Sequence, residues 1–290
     1  MSYAALILVV LAAFIHAVWN LLAKRAADAG PPFVFSYNVV CCVVYAPWVA
    51  IILAQGDVVW SLPVVGCILL SAVIHLVYSL TLQRGYQVAP LSVVYPVARG
   101  AGPMLSTIAA FLFLSEKPTA QGVAGLISIV AGIALIATQG DLRAFMRRDG
   151  LVGVQWGLVT AALIASYTVV DAYGVKVLGI HPVILDWCSN SLRFVMLAPV
   201  VLRGSAQMGV RMKNRWLLAV GVGVLSPLSY ILVLIALSMN APLSLVAPMR
   251  EMSMMLGALF GMLVLREPVG FWRLFGCAVL IVGVLLLGAA

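Results

Sequence analysis

The stretch APLSVVYPVARGAGPML, residues 89–105, reads as part of a membrane-spanning helix, yet it carries Arg99 near its middle. A second stretch, APLSLVAPMREMSMML at 241–256, opens the same way and carries Arg250. Their openings, APLSVVYP (89–96) and APLSLVAP (241–248), are identical at six of eight positions. An arginine at the centre of an apolar span costs about 3 kcal/mol on insertion scales, so it faces protein or a water-filled cavity and not lipid. Two such arginines, at matching places in two copies of one pattern, decide how the rest of the chain is read.

Beyond these stretches, one constant offset of 151 residues joins Arg99 to Arg250, Glu116 to Glu267, Gly125 to Gly276 and Gly132 to Gly283. AAFIHAVWN (12–20) also resembles AALIASYTV (161–169), at an offset of 149. The chain therefore divides into two related halves, 1–145 and 146–290. A spanning helix needs about 20 mostly apolar residues. Ten such runs are present, at 3–23, 32–54, 63–83, 90–114, 120–138, 151–173, 182–202, 216–237, 241–265 and 270–289. The breaks between them are short and rich in Gly, Pro, Asp and Asn, the residues of turns. Five spans per half is an odd number, so the second half enters the membrane from the opposite side. The fold class expected is an all-α polytopic membrane protein of ten transmembrane helices, built as two inverted five-helix repeats. In secondary transporters of that plan the substrate site lies near the midplane, between the repeats.

Composition agrees. Of the 290 residues 64% are hydrophobic and 9% charged, and mean hydropathy is +1.15; a soluble domain carries about 25% charged residues. The first run lacks the basic start and cleavage site of a signal peptide and reads as a retained helix. The five cysteines (Cys41, Cys42, Cys67, Cys188, Cys277) lie in apolar runs without CxxC spacing, so they read as small core residues. The net charge of +8 is scattered between apolar runs, which points to topology and not to nucleic acid. With ten spans, twelve loop or span-end arginines and lysines fall on one side, and only Lys117 and Lys176 on the side of the termini. The positive-inside rule places the twelve in the cytoplasm and both termini outside, in a bacterial inner (plasma) membrane.

Three arginines, Arg99, Arg193 and Arg250, lie inside spans. Arg99 and Arg250 are expected to contact an anionic group, since guanidinium matches carboxylate or phosphonate oxygens; the alternative is that each pairs with a carboxylate, Glu251 or Asp171, and locks two helices. Pro96 and Pro248 precede them, and each removes a backbone donor, so kinked or broken helices are expected beside the site. In the first span His16, Trp19 and Asn20 share a face at i, i+3, i+4 and either line a cavity or bond a neighbouring helix. Tyr167 and Asp171 share a face of the sixth span. Asp171 is the first candidate for a proton-coupling carboxylate, with Glu251 second. Tyr78 and Tyr230 match at an offset of 152, and Tyr95 lies one turn before Arg99; these tyrosines are candidates for substrate contact. His75 lies one turn before Tyr78. Asp186 and Arg193 are expected to be structural, and Glu116 and Glu267 to hold loops at the headgroup level. The methionines at 249, 252, 254, 255 and 262 give an adaptable wall, which fits a tolerant cavity and fits ordinary packing as well. GALFG (257–261) carries a GxxxG, matched by Ser106 and Ala110, which permits close helix approach or a homodimer contact.

Ten spans, the inverted repeat, HAVWN in the first span, ASYTVVD in the sixth and the E…G…G pattern closing each half resemble the EamA-type transporters of the drug/metabolite transporter superfamily. The resemblance covers nearly the whole chain. It implies a central cavity lined by the first, third, fourth, sixth, eighth and ninth spans, and substrates among amino acids, other small metabolites, sugar phosphates, nucleotide sugars and drugs. HAVWN departs from the family's usual tryptophan–glycine opening, which marks a subgroup.

No GxxxxGK[ST], HExxH or GxSxG motif is present, so neither ATP hydrolysis nor an enzyme is expected, and no cofactor or metal. The reading is a secondary active exporter of a small polar solute, anionic or zwitterionic, working by alternating access. Its partners are that solute and the lipid bilayer, with a homodimer possible and no nucleic acid. Two rivals are an exporter of cationic drugs or metabolites that uses Asp171 and Glu251, and a non-transport intramembrane enzyme.

Overall fold

The computed structural model describes residues 1–26, 29–56, 58–89, 91–139, 143, 148–202, 212–256 and 270–289. Among them every regular element is a helix, and there are ten: α1 Tyr3–Arg25, α2 Pro31–Ala54, α3 Leu62–Val88, α4 Leu91–Phe113, α5 Ala120–Thr138, α6 Arg148–Lys176, α7 Pro182–Leu202, α8 Trp216–Ser238, α9 Leu243–Met249 and α10 Phe271–Gly288. Six of them, α1, α2, α3, α5, α6 and α8, contain stretches long and apolar enough to cross a membrane.

Local chemistry sets the ends. Ser61 caps α3 by accepting from the Val64 amide at 3.5 Å, and Thr119 caps α5 by accepting from Gly122 at 3.0 Å, each satisfying an orphan donor of a first turn. Helix α2 starts on a proline pair behind Gly30, which holds φ +63°, a conformation glycine adopts without strain.

Ala5, Val9, Ile129, Ile184, Ile231, Leu234, Leu243, Val246 and Leu280 form the core where the helices meet. Large side chains such as Ile7, Leu62, Leu112, Phe113, Leu217 and Leu285 lie exposed on the outer surface. An outside this apolar is suited to lipid.

The helix pairs follow a pattern. The most extensive contacts join α5 with α10, α4 with α6, α1 with α8, α3 with α6, and α2 with both α7 and α8. When the first five helices are exchanged for the last five, α1·α8 becomes α6·α3 and α2·α8 becomes α7·α3, while α2·α7, α4·α9 and α5·α10 map onto themselves.

Helices α5 and α10 cross on the glycines that marked the repeat. A Cβ on Gly132 would stand 2.8 Å from the Gly276 carbonyl oxygen, and one on Gly125 would stand 2.9 Å from the Gly283 carbonyl oxygen. Only glycine permits backbones this close.

The two prolines behave differently. The backbone of α4 is helical throughout, including position 96, so the broken helix expected as one of two outcomes there is corrected: no break occurs in this span. Helix α9 does end after Pro248; residues 250–251 form a turn and 252–256 are helical again. The break belongs to the second copy alone. GALFG, Met262 and Glu267 lie outside the described residues.

Candidate functional site

A cavity of about 520 Å³ opens among the helices, lined from α1, α2, α3, α4, α6, α7 and α8 and by Arg250. The resemblance implied no lining from α2 or α7, yet both contribute. From α1 come His16, Trp19 and Asn20; from α3 His75 and Tyr78; from α4 Tyr95 and Arg99; from α6 Tyr167; from α8 Tyr230. Every residue expected at a substrate site thus reaches one cavity. Its described wall extends to Ala26 and Gly30, where α1 gives way to α2.

Arg99, Arg250 and Glu251 form the charged centre. Arg99 Nη2 lies 2.8 Å from a Glu251 carboxylate oxygen. Arg250 Nε lies 3.9 Å from the other oxygen of the same carboxylate. Arg99 and Arg250 are buried, and Glu251 is wholly so. Two cations therefore share one anion, and the shares are unequal. Arg99 also donates to Ser253 at 3.4 Å and to His16 Nε2 at 3.5 Å. A guanidinium has no acceptor, so Nε2 of His16 must accept. Arg250 Nε is buried without a hydrogen bond among the described residues. Arg250 and Glu251 sit in the turn that follows α9, and Arg99 reaches them from α4.

A second cluster is aromatic and acidic. Asp171 is almost wholly buried. One of its carboxylate oxygens lies 3.0 Å from His75 Nε2 and accepts from the Tyr230 hydroxyl at 2.5 Å. Its other oxygen has no hydrogen bond among the described residues. The His75 ring stacks on Tyr167 with centroids 3.9 Å apart; Tyr78 and Tyr230 pack edge-on to Tyr167 at 5.5 and 6.3 Å. His75, Tyr167 and Tyr230 line the cavity, whereas Asp171 and Glu251 do not. The two carboxylates expected to couple protons lie behind the wall, each reached through a partner.

A third group includes one residue, Asn190, that the sequence reading missed. Asp186, Asn190 and Arg193 of α7 all line the cavity, a place not expected for Asp186 and Arg193, which the sequence reading makes structural. They do not pair directly. Asn190 donates to Asp186 at 2.9 Å and accepts from Arg193. Asparagine has no charge to betray it in an apolar run, and its i, i+4 spacing from Asp186 was the only signal. Trp19 combines both readings weighed for it: it lines the cavity and donates to Ser229 at 3.3 Å. Asn20 turns back on its own helix, donating to the His16 carbonyl at 2.8 Å. The methionines fit ordinary packing as well as a cavity wall, and the described ones take the first. Met249, Met254 and Met255 are buried in the core, and no methionine lines the cavity among the described residues.

At the end of the fold where α8 turns into α9, Glu116 accepts from the Leu243 and Ser244 amides at 2.7 and 2.9 Å and pairs with Lys176 at 3.1 Å. This is the loop-holding role expected of it. Burial disfavours the charged form, but the amide bonds from α9 and Lys176 outweigh it and hold the carboxyl below the ordinary glutamate range.

A multi-helix membrane protein with a polar, charged cavity enclosed between its helices is the architecture of a solute transporter. The chain belongs to the EamA-like transporter family, whose model matches residues 3–138 and 151–289, and so to the drug/metabolite transporter superfamily; it is an integral multi-pass membrane protein. A 58-residue segment is 43% identical to the multidrug resistance protein EbrA of Bacillus licheniformis, over 20% of this chain and 51% of that protein. The chain thus spans about half the length of the curated relative it matches. A solved crystal structure of another protein superposes with a TM-score of 0.74 at 15% identity, covering 99% of this chain and 98% of that one, a likeness of fold alone.

Proposed function

We propose that the protein is a secondary active exporter of a small anionic or zwitterionic organic solute, held at Arg250 and Arg99 in the central cavity. The observation that carries this reading is the sharing of Glu251. One carboxylate cannot neutralise two guanidinium groups, so the buried trio keeps one positive charge at the cavity wall. A buried, underpartnered cation is costly, and a carboxylate or phosphonate from the cavity would complete Arg250's hydrogen bonding. His16, Trp19, Asn20, Tyr78, Tyr95, Tyr167 and Tyr230 shape the space around it, with Asp171 and Glu251 as the carboxylates behind proton coupling.

In the same reading, residues 1–145 and 146–290 are inverted five-helix repeats and ten helices cross the membrane. Support comes from the symmetric helix pairing, the reciprocal glycines and the family model's match to both segments. Loop charge supports a plasma-membrane location with both termini outside. The protein would act on its solute in the bilayer without nucleic acid, and not as an enzyme; a homodimer is open to direct measurement.

Thermal unfolding of the detergent-purified protein against organic anions (phosphonates included), zwitterionic amino acids and lipophilic cations tests this. A ligand that binds only the folded state raises the midpoint. Anions or zwitterions should raise it, and R250Q should abolish the rise. A second reading, export of cations, draws on the EbrA likeness and on Asp186, which is the carboxylate on the described cavity wall. It predicts a rise with cations only, lost in D186N.

A further inference from the structure

We propose that His75, through Nδ1, is the atom at which a proton is exchanged with the cavity, and that buried Asp171 is its fixed counter-ion. The inference deepens the transporter reading and moves the coupling proton from a carboxylate to an imidazole. Asp171 is 1% exposed and shielded from the cavity by His75 and Tyr230. A proton can reach it only through one of them, and a tyrosine hydroxyl does not titrate in the physiological range. An imidazole does.

The hydrogen bonds fix the tautomer. A carboxylate accepts only, so both Tyr230 and His75 Nε2 donate to Asp171. Nδ1 is then the basic nitrogen, and it makes no hydrogen bond among the described residues, while the ring forms part of the cavity wall. Uptake is simple: Nδ1 takes a proton from cavity water, the imidazolium keeps its Nε2–H bond to Asp171, and the group's charge goes from −1 to zero. Tyr167, stacked on the ring, offers a π-face to the imidazolium.

His75 meets Asp171 and Tyr167 of α6 and Tyr230 of α8, and the cavity it faces is also lined by Tyr78 of α3, Tyr95 and Arg99 of α4, Asp186 and Arg193 of α7, and Arg250. The cations whose field reaches it are Arg193 and Arg250. An anion bound at Arg250 cancels part of that field, so solute and proton affect each other's binding, and the effect must be reciprocal. The first half offers no counterpart to Asp171: positions 19–22, which the repeat offsets bring opposite it, are Trp19, Asn20, Leu21 and Leu22. The proton site is a single one, in a molecule otherwise built in two copies.

The chain has three histidines, few enough to follow individually. The experiment is ¹⁵N-histidine NMR of the full-length protein in nanodiscs across a pH series, with H16Q and H181Q assigning the third resonance without disturbing the cluster. His75 should show the Nε2–H tautomer at high pH and gain a proton at Nδ1 as the pH falls. D171N should weaken that protonation by about tenfold or more, and H181Q should leave it unchanged. A His75 that holds one protonation state across the range, or carries its hydrogen on Nδ1, overturns the proposal in the wild-type protein alone. If His75 titrates as stated and no solute raises the unfolding midpoint, the solute reading fails and the proton site stands. If anions bind at Arg250 while His75 stays silent, the reverse holds.

Discussion

At the scale of single residues, the two arginines that open the chain's reading have parted roles. Arg99 holds Glu251 at 2.8 Å, and Arg250 stands off at 3.9 Å. Breaking a buried ion pair by deleting one partner costs about 3–5 kcal/mol, because the other charge is left uncompensated. R99Q should therefore lower thermal stability by several degrees, whereas R250Q should leave the apo protein nearly as stable and remove its response to anions. Parallel melts of both variants, with and without a phosphonate, check this; equal losses of stability would refute the division of roles. The sequence announced both arginines, because a charge in an apolar run is conspicuous. Which of them had a partner was not legible: Glu251 adjoins Arg250 in the chain, yet its short contact is with Arg99, 152 residues away. His75 and Asp171 were likewise visible separately, and nothing local indicates that residues 96 apart meet.

At the scale of elements, the crossing of α5 and α10 depends on what its glycines lack. G132A would place a methyl group 2.8 Å from backbone atoms of α10, where no side-chain rotamer can relieve it. Overpacking of that kind costs about 1–3 kcal/mol, so a midpoint lowered by several degrees is expected. G66A, where a Cβ meets nothing within 4 Å, is the control and should change little. The repeat pattern identified these glycines, but only the packed structure shows that they face one another. Proline was a weaker guide. Pro248 coincides with a break and Pro96 does not, since a helix can absorb a proline when its neighbours support the freed carbonyl. The residues after each proline differ too: Arg250 and Glu251 adjoin at the break, whereas Arg99 is succeeded by Gly100.

At the scale of the molecule, the cavity wall reaches the connection between α1 and α2, and Glu116 fastens the opposite end by tying the α4–α5 turn to α9 and α6. E116A forfeits two charge-assisted amide bonds, each worth about 1.5–3 kcal/mol, together with Lys176's partner. Its expected effect is lower stability and faster labelling, by an impermeant thiol reagent, of a cysteine placed at Ser229 in a background freed of native cysteines. The pH dependence has a definite sign. Glu116's carboxyl is held below its ordinary range, so the fastening is complete above about pH 4.3 and is lost only as pH falls through the depressed value. Labelling of the wild-type protein should be flat from neutrality down to that point and rise below it. The fold was legible at this scale because hydrophobic length, loop charge and a constant offset all pointed one way. The α2 and α7 walls of the cavity were not, because α2 contributes Phe33, Val34 and Tyr37, which read as ordinary residues of an apolar run, and Asn190 of α7 carries no charge to single it out. The reciprocal glycine contacts carry one more consequence, which concerns inheritance. In an antiparallel pair of identical five-helix chains, Gly125 of each copy would meet Gly132 of the other, and a single mutation would damage both crossings at once. In the joined chain the same two crossings are written by four independent codons, so each can drift, be lost or be repaired without the other.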